Sequence, residues 1–311
     1  MVDTEYIQLK GVTKRFHKNL VLDSINLDIP EKKITGIIGA SGEGKSTILK
    51  LIIGFYKPTS GQVLYLRRNV LRDWKNIKKI FGFATEEGSF YEHLTVKENF
   101  FHFGYLYRMR HEDIKNRADE ILGLVGLQDA LHTRAKNLSI GMKKRLDVAC
   151  SLVHNPDVLI MDEPTADLDP LLRAQILALI EKINEQGTTI IMTTQILEEM
   201  EEIGDKIAIL SDKKIIEEGS PFAVKGRYRA SSLNEVFRKI FSKQKKHFHE
   251  IFRTHRAKPQ PRPQEKEKPQ AVEQFKENVS PEIKGPTETQ GKTMEDVIDG
   301  KANNENKNNL P

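Results

Sequence analysis

The feature that most constrains this chain is a glycine-rich turn that joins an apolar strand to a helix. The strand pattern is ITGII (residues 34–38), the helical pattern is STILKLIIG (residues 46–54), and the turn lies in GASGEGKST (residues 39–47). A P-loop requires this order, because its glycines let backbone N–H groups close around phosphate oxygens. The helix that follows adds the partial positive charge of its N-terminus. The sequence therefore predicts a phosphate-binding loop.

The side chains of this loop match the parts of a bound nucleoside triphosphate. Lys45 would reach the β- and γ-phosphates, Ser46 would offer its hydroxyl to Mg²⁺, and Thr47 would face the α-phosphate. Taken alone, the motif is also compatible with an ordinary glycine-rich turn. The residues predicted to contact the nucleotide are Gly39, Ala40, Ser41, Gly42, Glu43, Gly44, Lys45, Ser46 and Thr47.

A second motif, DVLIMDEP (residues 157–164), places two adjacent carboxylates after a buried strand. Such a pair is costly at the end of an apolar strand unless a cation lies there. We expect Asp162 to hold Mg²⁺ through a coordinated water. Glu163 is the predicted catalytic residue, since it would orient or deprotonate the water that attacks the γ-phosphorus. Together the two motifs predict binding of ATP with Mg²⁺, and Lys45 is expected to assist catalysis.

Short β-branched runs alternate with longer helical patterns up to about residue 218, as in ITGIIGA, DVLIMD, TTIIMTT and KIAIL. This alternation is typical of an α/β fold with a parallel sheet covered by helices. Between residues 95 and 153 the periodicity is only helical. The sequence therefore predicts one domain over residues 5–224, with a helical subdomain inserted at about residues 95–155.

Charge is unevenly distributed along the chain. Residues 1–224 contain 30 Lys and Arg against 32 Asp and Glu, whereas residues 225–311 contain 19 against 12. The domain itself is near neutral, so we expect no nucleic-acid binding. Residues 225–258 are predicted to form a basic, amphipathic helical extension, and residues 259–311 are too poor in apolar side chains to pack, which predicts a disordered tail.

Membrane and redox signals are sparse. The N-terminus carries charges where a signal peptide needs an apolar segment, and no apolar run approaches the roughly 18 residues that span a bilayer. The single cysteine, Cys150, excludes an internal disulfide framework. We therefore expect a cytoplasmic protein whose membrane contact is peripheral.

A third motif, LSIGMKKR (residues 138–145), lies between the first two. With it, the chain resembles the ATP-binding subunits of ABC transporters over residues 5 to about 241. The resemblance implies the ABC ATPase form of the P-loop NTPase fold, with an N-terminal antiparallel β subdomain and an inserted helical subdomain. Ile140 and Met142 depart from the commoner LSGGQ.

The resemblance also implies an active site shared by two chains. In that family the LSxG segment of one subunit caps the ATP on the P-loop of the other, so Ser139 and the N–H of Gly141 would bind the partner's γ-phosphate. Asp169 belongs to a segment that looks like the D-loop, which communicates across the dimer. The partner would be a second ABC ATPase, in a homodimer or a heterodimer. Ser139 also fits a simple helix N-cap, which is compatible with this role.

Two further nucleotide contacts follow from the family pattern. Phe16 matches the aromatic residue that stacks on adenine, although it also fits the core, and Tyr6 is the alternative. Glu86, in GFATEEGSFYEHLTV (residues 82–96), takes the place of the usual Q-loop glutamine. Mg²⁺ accepts either kind of oxygen, so Glu86 is a predicted metal ligand and Glu87 is the alternative in register.

Gln195, in TTIIMTTQILEE, stands where the family usually has a histidine that contacts the γ-phosphate. Gln donates a hydrogen bond but cannot become cationic. One interpretation is slow but real hydrolysis, with Glu163 and Gln195 as catalytic residues. The other is an ATP-gated dimerisation switch with little turnover.

Residues 88–107 resemble the surface that receives the permease of an ABC transporter. The loop residues Phe90 and Tyr91 are the expected contacts, whereas Phe100 and Phe103 are expected in the core. MKKR (residues 142–145) and SLNEVFRKIF (residues 232–241) resemble exporter-type ATPases that pair with a separate integral membrane permease. The chain is then expected on the inner face of the cell membrane, where the basic residues 225–258 would contact anionic lipid. A non-transport ABC ATPase is the remaining alternative.

Overall fold

The computed structural model of the protein describes residues 6–241. The strands, in chain order, are β1 (Ile7–Phe16), β2 (Asn19–Ile29), β3 (Ile34–Ile38), β4 (Ser60–Tyr65), β5 (Arg68–Asn69), β6 (Phe81–Ala84), β7 (Val158–Asp162), β8 (Thr189–Thr194), β9 (Lys206–Ser211) and β10 (Lys214–Gly219). The helices are α1 (Lys45–Ile52), α2 (Trp74–Ile77), α3 (Val96–Leu106), α4 (His111–Leu124), α5 (Ile140–Leu152), α6 (Pro170–Glu185), α7 (Leu197–Ile203) and α8 (Pro221–Tyr228).

The strands form two sheets. The first contains β1, β2, β4 and β5 in the order β2-β1-β4-β5, and every pair in it is antiparallel. The second has the order β10-β9-β3-β8-β7-β6, with parallel pairs throughout except β9 and β10. The predicted α/β fold with an N-terminal antiparallel β subdomain is confirmed. The carboxyl ends of β3, β7 and β8 meet at one edge, where ligands of such sheets bind.

Helices α3, α4 and α5 follow β6 and precede β7. The described residues between those two strands contain no strand of either sheet. Helix α3 begins with a capping box, in which Thr95 Oγ1 accepts from the Glu98 N–H and Glu98 Oε2 accepts from the Thr95 N–H. Phe100 is fully buried, while Phe103 is half-buried against the same cluster. The prediction for Phe100 is met in full and that for Phe103 in part.

Two apolar clusters cover the faces of the six-stranded sheet. Successive residues of β7 alternate between them, with Val158 and Ile160 in one and Leu159 and Met161 in the other. This period of two is expected of a strand that is buried on both faces. Helix α7 packs very closely at Gly36 of β3, where a Cβ atom would overlap the sulfur of Met200.

Residues 233–241 form a helix up to the end of the described chain. Leu233, Val236 and Ile240 are buried in the same cluster as the sheet and α7. The proposed boundary at residue 224 therefore does not coincide with a break in packing, and the division into domains stays a prediction. The predictions for residues 242–258 and for the tail 259–311 lie outside the described residues.

Candidate functional site

The P-loop lies between the carboxyl end of β3 and the N-terminus of α1. Gly44, the N-cap of α1, has a φ of 105°, a backbone conformation that favours glycine. Lys45 follows it and is 4% exposed, with Nζ donating to the carbonyls of Gly39 and Ala40 at 2.9 and 3.1 Å. The lysine ammonium is thus folded back onto the carbonyl groups of its own loop.

The two carboxylates of the second motif lie at the end of β7, and Thr193 of β8 holds both residues. Thr193 Oγ1 donates to Asp162 Oδ1 at 2.6 Å and accepts from the Glu163 N–H at 2.9 Å. Thr193 pairs with Asp162 in the parallel register of the sheet. Glu163 has a φ of 47°, an uncommon conformation for a residue other than glycine and one that is typical of functional sites.

The Glu163 carboxylate joins the P-loop to the end of β8. Its Oε1 lies 3.2 Å from Lys45 Nζ, and Gln195 Nε2 lies 2.9 Å from each of its two oxygens. Lys45, Glu163 and Gln195 therefore form one continuous chain of polar contacts. A carboxylate held between a cation and an amide donor is oriented, as required of a group that positions water.

Glu86 faces the same region from the loop after β6. A cleft of about 270 Å³ is lined by Glu86, Glu163 and Gln195, together with Thr165, Ala166, Asp167, Thr194 and Ile196. Glu86 and Glu87 are both exposed, but Glu87 is not among the residues that line this cleft. The geometry favours Glu86 over Glu87 as the residue directed at the site.

The loop that carries Glu86 is held by α5. Asp147 accepts from the N–H groups of Thr85 and Ser89 at 2.9 and 2.6 Å, and Lys144 Nζ donates to the Glu86 carbonyl at 2.6 Å. Burial raises the pKa of the Asp147 carboxyl to about 6, although both N–H donors act in the opposite direction. Sequence reasoning did not identify Asp147, because its spacing in α5 reads as an ordinary helical position.

The two candidates for adenine stacking differ in burial. Tyr6 is buried, its hydroxyl contacts that of Tyr65 at 3.2 Å, and burial raises the pKa of its phenol. It belongs to the core, so the alternative assignment to Tyr6 is wrong. Phe16 is half-buried at the end of β1, where its ring lies edge-on to Tyr56 with Lys14 Nζ 4.6 Å from its centroid.

Ser139, Gly141 and Asp169, here called the signature residues, lie at the starts of α5 and α6, on a different surface from the P-loop. Ser139 caps α5 by accepting from the Met142 N–H at 3.3 Å, and Asp169 caps α6 by accepting from the Leu171 and Leu172 N–H groups. Both caps are exposed. Gly141 packs against Leu172, which joins the two helix starts. Ser139 thus fits the N-cap interpretation, and its side chain makes no contact with the P-loop among the hydrogen bonds of the described residues.

The expected permease contacts are unequal. Tyr91 is 52% exposed, whereas Phe90 is half-buried against the core. A larger groove of about 690 Å³ lies at the end of the segment 88–107. It is lined by Ile53, Trp74, Lys78, Lys79, Phe81, Phe83, Leu106, Tyr107 and Arg108. In residues 6–241 we find no helix with both the length and the apolar character needed to cross a bilayer.

Comparison with known proteins identifies the family of the chain. The ABC transporter family matches residues 22–166. The linearmycin resistance ATP-binding protein LnrL of Bacillus subtilis (strain 168) is 32% identical over 214 residues, which are 69% of each chain. The bacitracin transport ATP-binding protein BcrA of Bacillus licheniformis is 34% identical over 213 residues, which are 68% of this chain and 69% of that one.

A solved structure shows the same fold. The dimeric, post-hydrolysis ATP-binding cassette MJ0796, bound to ADP and Pi, is 29% identical, with a TM-score of 0.62 over 69% of this chain and 98% of that one. The fold and the three motifs define a P-loop ATPase of the ATP-binding cassette class. The chain belongs to the ABC transporter family, as an ATP-binding and ATP-hydrolysing subunit of a transporter.

Proposed function

We propose that this chain powers an exporter, by dimerising around two ATP molecules at the cytoplasmic face of a membrane and driving a separate integral membrane permease. The observation that carries the catalytic part is the contact chain from Lys45 through Glu163 to Gln195 at the edge of the sheet. Export is supported by the relatives, two of which are named for linearmycin resistance and for bacitracin transport.

Nucleotide binding is assigned to the P-loop, with Phe16 stacking on adenine. On binding, Lys45 would exchange its contacts with Glu163 and the two carbonyls for phosphate oxygens. This exchange frees the Glu163 carboxylate to accept a hydrogen bond from the attacking water. Gln195 would keep Glu163 oriented and donate to the γ-phosphate.

Ser46, Glu86 and Asp162 are proposed to hold Mg²⁺. The donor set fits, because a hydroxyl and two carboxylates are oxygen ligands of the kind that Mg²⁺ prefers. Asp162 is buried and already oriented by Thr193, while Glu86 lines the cleft beside Glu163. The ion would neutralise charge on the β- and γ-phosphates.

The second half of each site is assigned to Ser139, Gly141 and Asp169 of another ABC ATPase chain. Beside these residues, Ile140 and Leu171 are 58% and 69% exposed. Large apolar side chains next to polar donors are typical of a surface that a partner covers. The N-terminus of α5 also directs partial positive charge outward, toward an anionic ligand of the partner.

The permease is proposed to dock at the groove beside Trp74 and Tyr107. Its lining combines aromatic and apolar side chains with Lys78, Lys79 and Arg108. An apolar helix with acidic residues would match this lining. Tyr91 extends the contact, whereas Phe90 contributes mainly to packing.

Anionic lipid is a further proposed partner, through residues 225–258. The basic side chains in the described part of this segment include several that are already paired, namely Lys225 with Glu201, Arg227 with Glu217 and Lys239 with Glu235. A lipid contact would therefore rest mainly on residues 242–258, which lie outside the described residues.

The test is Mg²⁺-dependent ATP hydrolysis by the full chain over a range of protein concentrations. Turnover per chain should rise with concentration, and Glu163→Gln should abolish it while ATP binding remains. Glu181→Gln, an exposed change on α6, is the matched control. Concentration-dependent dimerisation by ATP with no turnover in the wild type would favour the ATP-gated switch instead.

A further inference from the structure

Glu199 of α7 is a buried carboxylate that the proposed mechanism does not use. It is 1% exposed, yet both of its oxygens are engaged. Oε1 accepts from Thr165 Oγ1 and Oε2 accepts from Thr194 Oγ1, each at 2.6 Å. Arg173 Nε of α6 lies 3.6 Å from Oε1. Burial raises the pKa of Glu199, and these three partners act in the opposite direction.

The two threonines flank the catalytic pair. Thr165 is two residues beyond Glu163, and Thr194 immediately precedes Gln195. Thr194 Oγ1 also accepts from the Ile196 N–H at 2.9 Å, so the same hydroxyl fixes the backbone on both sides of Gln195. In the loop after β7, the Ala166 N–H donates to the Glu163 carbonyl at 3.1 Å. This turn contains Thr165 and keeps it close to Glu163.

We propose that Glu199 is a positioning residue that joins the loops after β7 and β8 and thereby holds Gln195 against Glu163. The inference rests on the roles proposed above for those two residues. A carboxylate suits this task because it accepts two hydroxyl donors at once, whereas a glutamine offers one acceptor and turns an N–H₂ group toward the other hydroxyl. The buried, low-dielectric setting makes both hydrogen bonds strong and an unmade one costly.

A second tie separates the effects on the two catalytic residues. Thr193 holds Asp162 and the backbone N–H of Glu163 without involving Glu199. Loss of the Glu199 contacts therefore leaves the Glu163 backbone anchored and releases mainly the turn that carries Gln195. The expected consequence is slower chemistry with nearly unchanged nucleotide binding.

The first measurement is steady-state ATP hydrolysis by full-length Glu199→Gln. We expect kcat to fall about tenfold while KM for ATP changes by less than about twofold. Glu202→Gln makes the same chemical change at an exposed position of the same helix, and it should leave both constants unchanged. An unchanged kcat in Glu199→Gln would overturn the inference.

The decisive measurement is a double-mutant cycle with Gln195→Ala. If Glu199 acts through Gln195, Glu199→Gln lowers kcat in the wild type but has little further effect in the Gln195→Ala background. An equal loss in both backgrounds overturns the positioning role and leaves the proposed role of Gln195 intact. An unchanged kcat in Gln195→Ala alone contradicts the role of Gln195 itself, and the inference with it.

Thermal unfolding of each variant shows whether the fold survives. Should Glu199→Gln unfold, Thr194→Val removes only one of its hydrogen-bond donors and replaces it with a side chain of similar shape. We expect the same loss of kcat at constant KM from Thr194→Val. Retained kcat in that variant would overturn the inference.

Discussion

The two proposed halves of the site are organised in opposite ways. The phosphate end of the sheet consists of the P-loop with Asp162, Glu163 and Gln195. The signature surface consists of Ser139, Gly141 and Asp169 at the starts of α5 and α6. At the phosphate end, several side chains contact other elements of the chain, as Lys45 does with Glu163 and Asp162 with Thr193. At the signature surface, the side-chain hydrogen bonds of Ser139 and Asp169 within residues 6–241 go only to the first turns of their own helices. In the proposed composite site, one chain would thus preorganise one half and present the other half to a partner.

This difference is what the proposed two-chain site requires. A helix cap satisfies N–H groups of the first turn but leaves the positive end of the helix facing solvent. Ser139 and the exposed Ile140 stand at that end. In the proposed site their partners come from another chain, whereas Lys45 and Glu163 already contact one another and would exchange that contact for a nucleotide.

Mixing two defective chains is the strongest test of this comparison. Lys45→Ala removes the phosphate contact, and Ser139→Glu places a negative charge where the partner's phosphate would bind. We expect each variant alone to lose about 100-fold in ATP hydrolysis. An equimolar mixture should regain about a quarter of the wild-type rate, because half of the dimers would contain one intact composite site.

The control is an equimolar mixture of the Lys45→Ala chain and the Glu163→Gln chain. Both changes lie at the phosphate end, so no dimer of these chains contains an intact site, and no activity should return. If the Lys45→Ala and Ser139→Glu mixture also stays inactive, the assignment of the two halves to different chains is contradicted.

Two serine caps allow a finer test of the signature surface. Ser139 and Ser220 both accept from the N–H three residues on, at 3.3 and 3.2 Å. Replacement by Ala should cost each protein about 1 kcal/mol of unfolding free energy, because one cap is lost. Only Ser139→Ala should also lower kcat, by about tenfold, since only this hydroxyl is assigned to the partner's ATP. Equal kcat values for the two variants would reduce Ser139 to a cap.

Gln195→His addresses the phosphate end alone. We expect it to raise kcat about threefold, because an imidazole can become cationic beside the γ-phosphate and an amide cannot. The gain should vanish in a Glu163→Gln background, as measured by single-turnover hydrolysis. A variant that is no faster would show that Gln195 does not limit the rate.

The sequence predicted the parts of the site that are local patterns. The P-loop, the Asp162–Glu163 pair and LSIGMKKR each occupy a few consecutive residues with a recognisable strand or helix beside them. Thr193 and Glu199 were missed, because their roles depend on β8 lying next to β7 in one register and on Glu199 of α7 bonding to the residues at and beyond the ends of both strands. A threonine in a β-branched run reads only as a strand former.

The boundary at residue 224, which stays a prediction, and the alternative at Tyr6 both depend on contacts that a local sequence pattern does not show. The Leu233 N–H donates to Glu201 of α7, and the Asn234 side chain donates to Glu198 of the same helix. No local sequence pattern indicates these contacts. Tyr6 and Phe16 both belong to aromatic positions near the N-terminus, and only the sheet register shows that Tyr6 lies beside Tyr65 in the core. Both positions thus depend on tertiary contacts between residues that are far apart in the sequence.

His154 offers a test of how the helical segment is held to the sheet that carries the phosphate end. Its ring stacks on Tyr107 with centroids 3.6 Å apart, and its Nε2 lies 3.1 Å from the Phe81 carbonyl. Burial lowers the pKa of His154 to about 4, against an ordinary value of 6.5. The stabilising contribution is therefore complete above pH 6.5 and is lost as the pH falls toward 4, because the unfolded chain takes up a proton that the folded chain excludes.

His154→Phe should remove this pH dependence while keeping a ring against Tyr107. Between pH 7 and pH 4, we expect the unfolding free energy of the wild type to fall by about 2 kcal/mol more than that of the variant, as measured by urea unfolding. His132→Phe, at an exposed position, should follow the wild type. Parallel curves for His154→Phe and the wild type would mean that His154 titrates normally, so that its stacking does not exclude the proton.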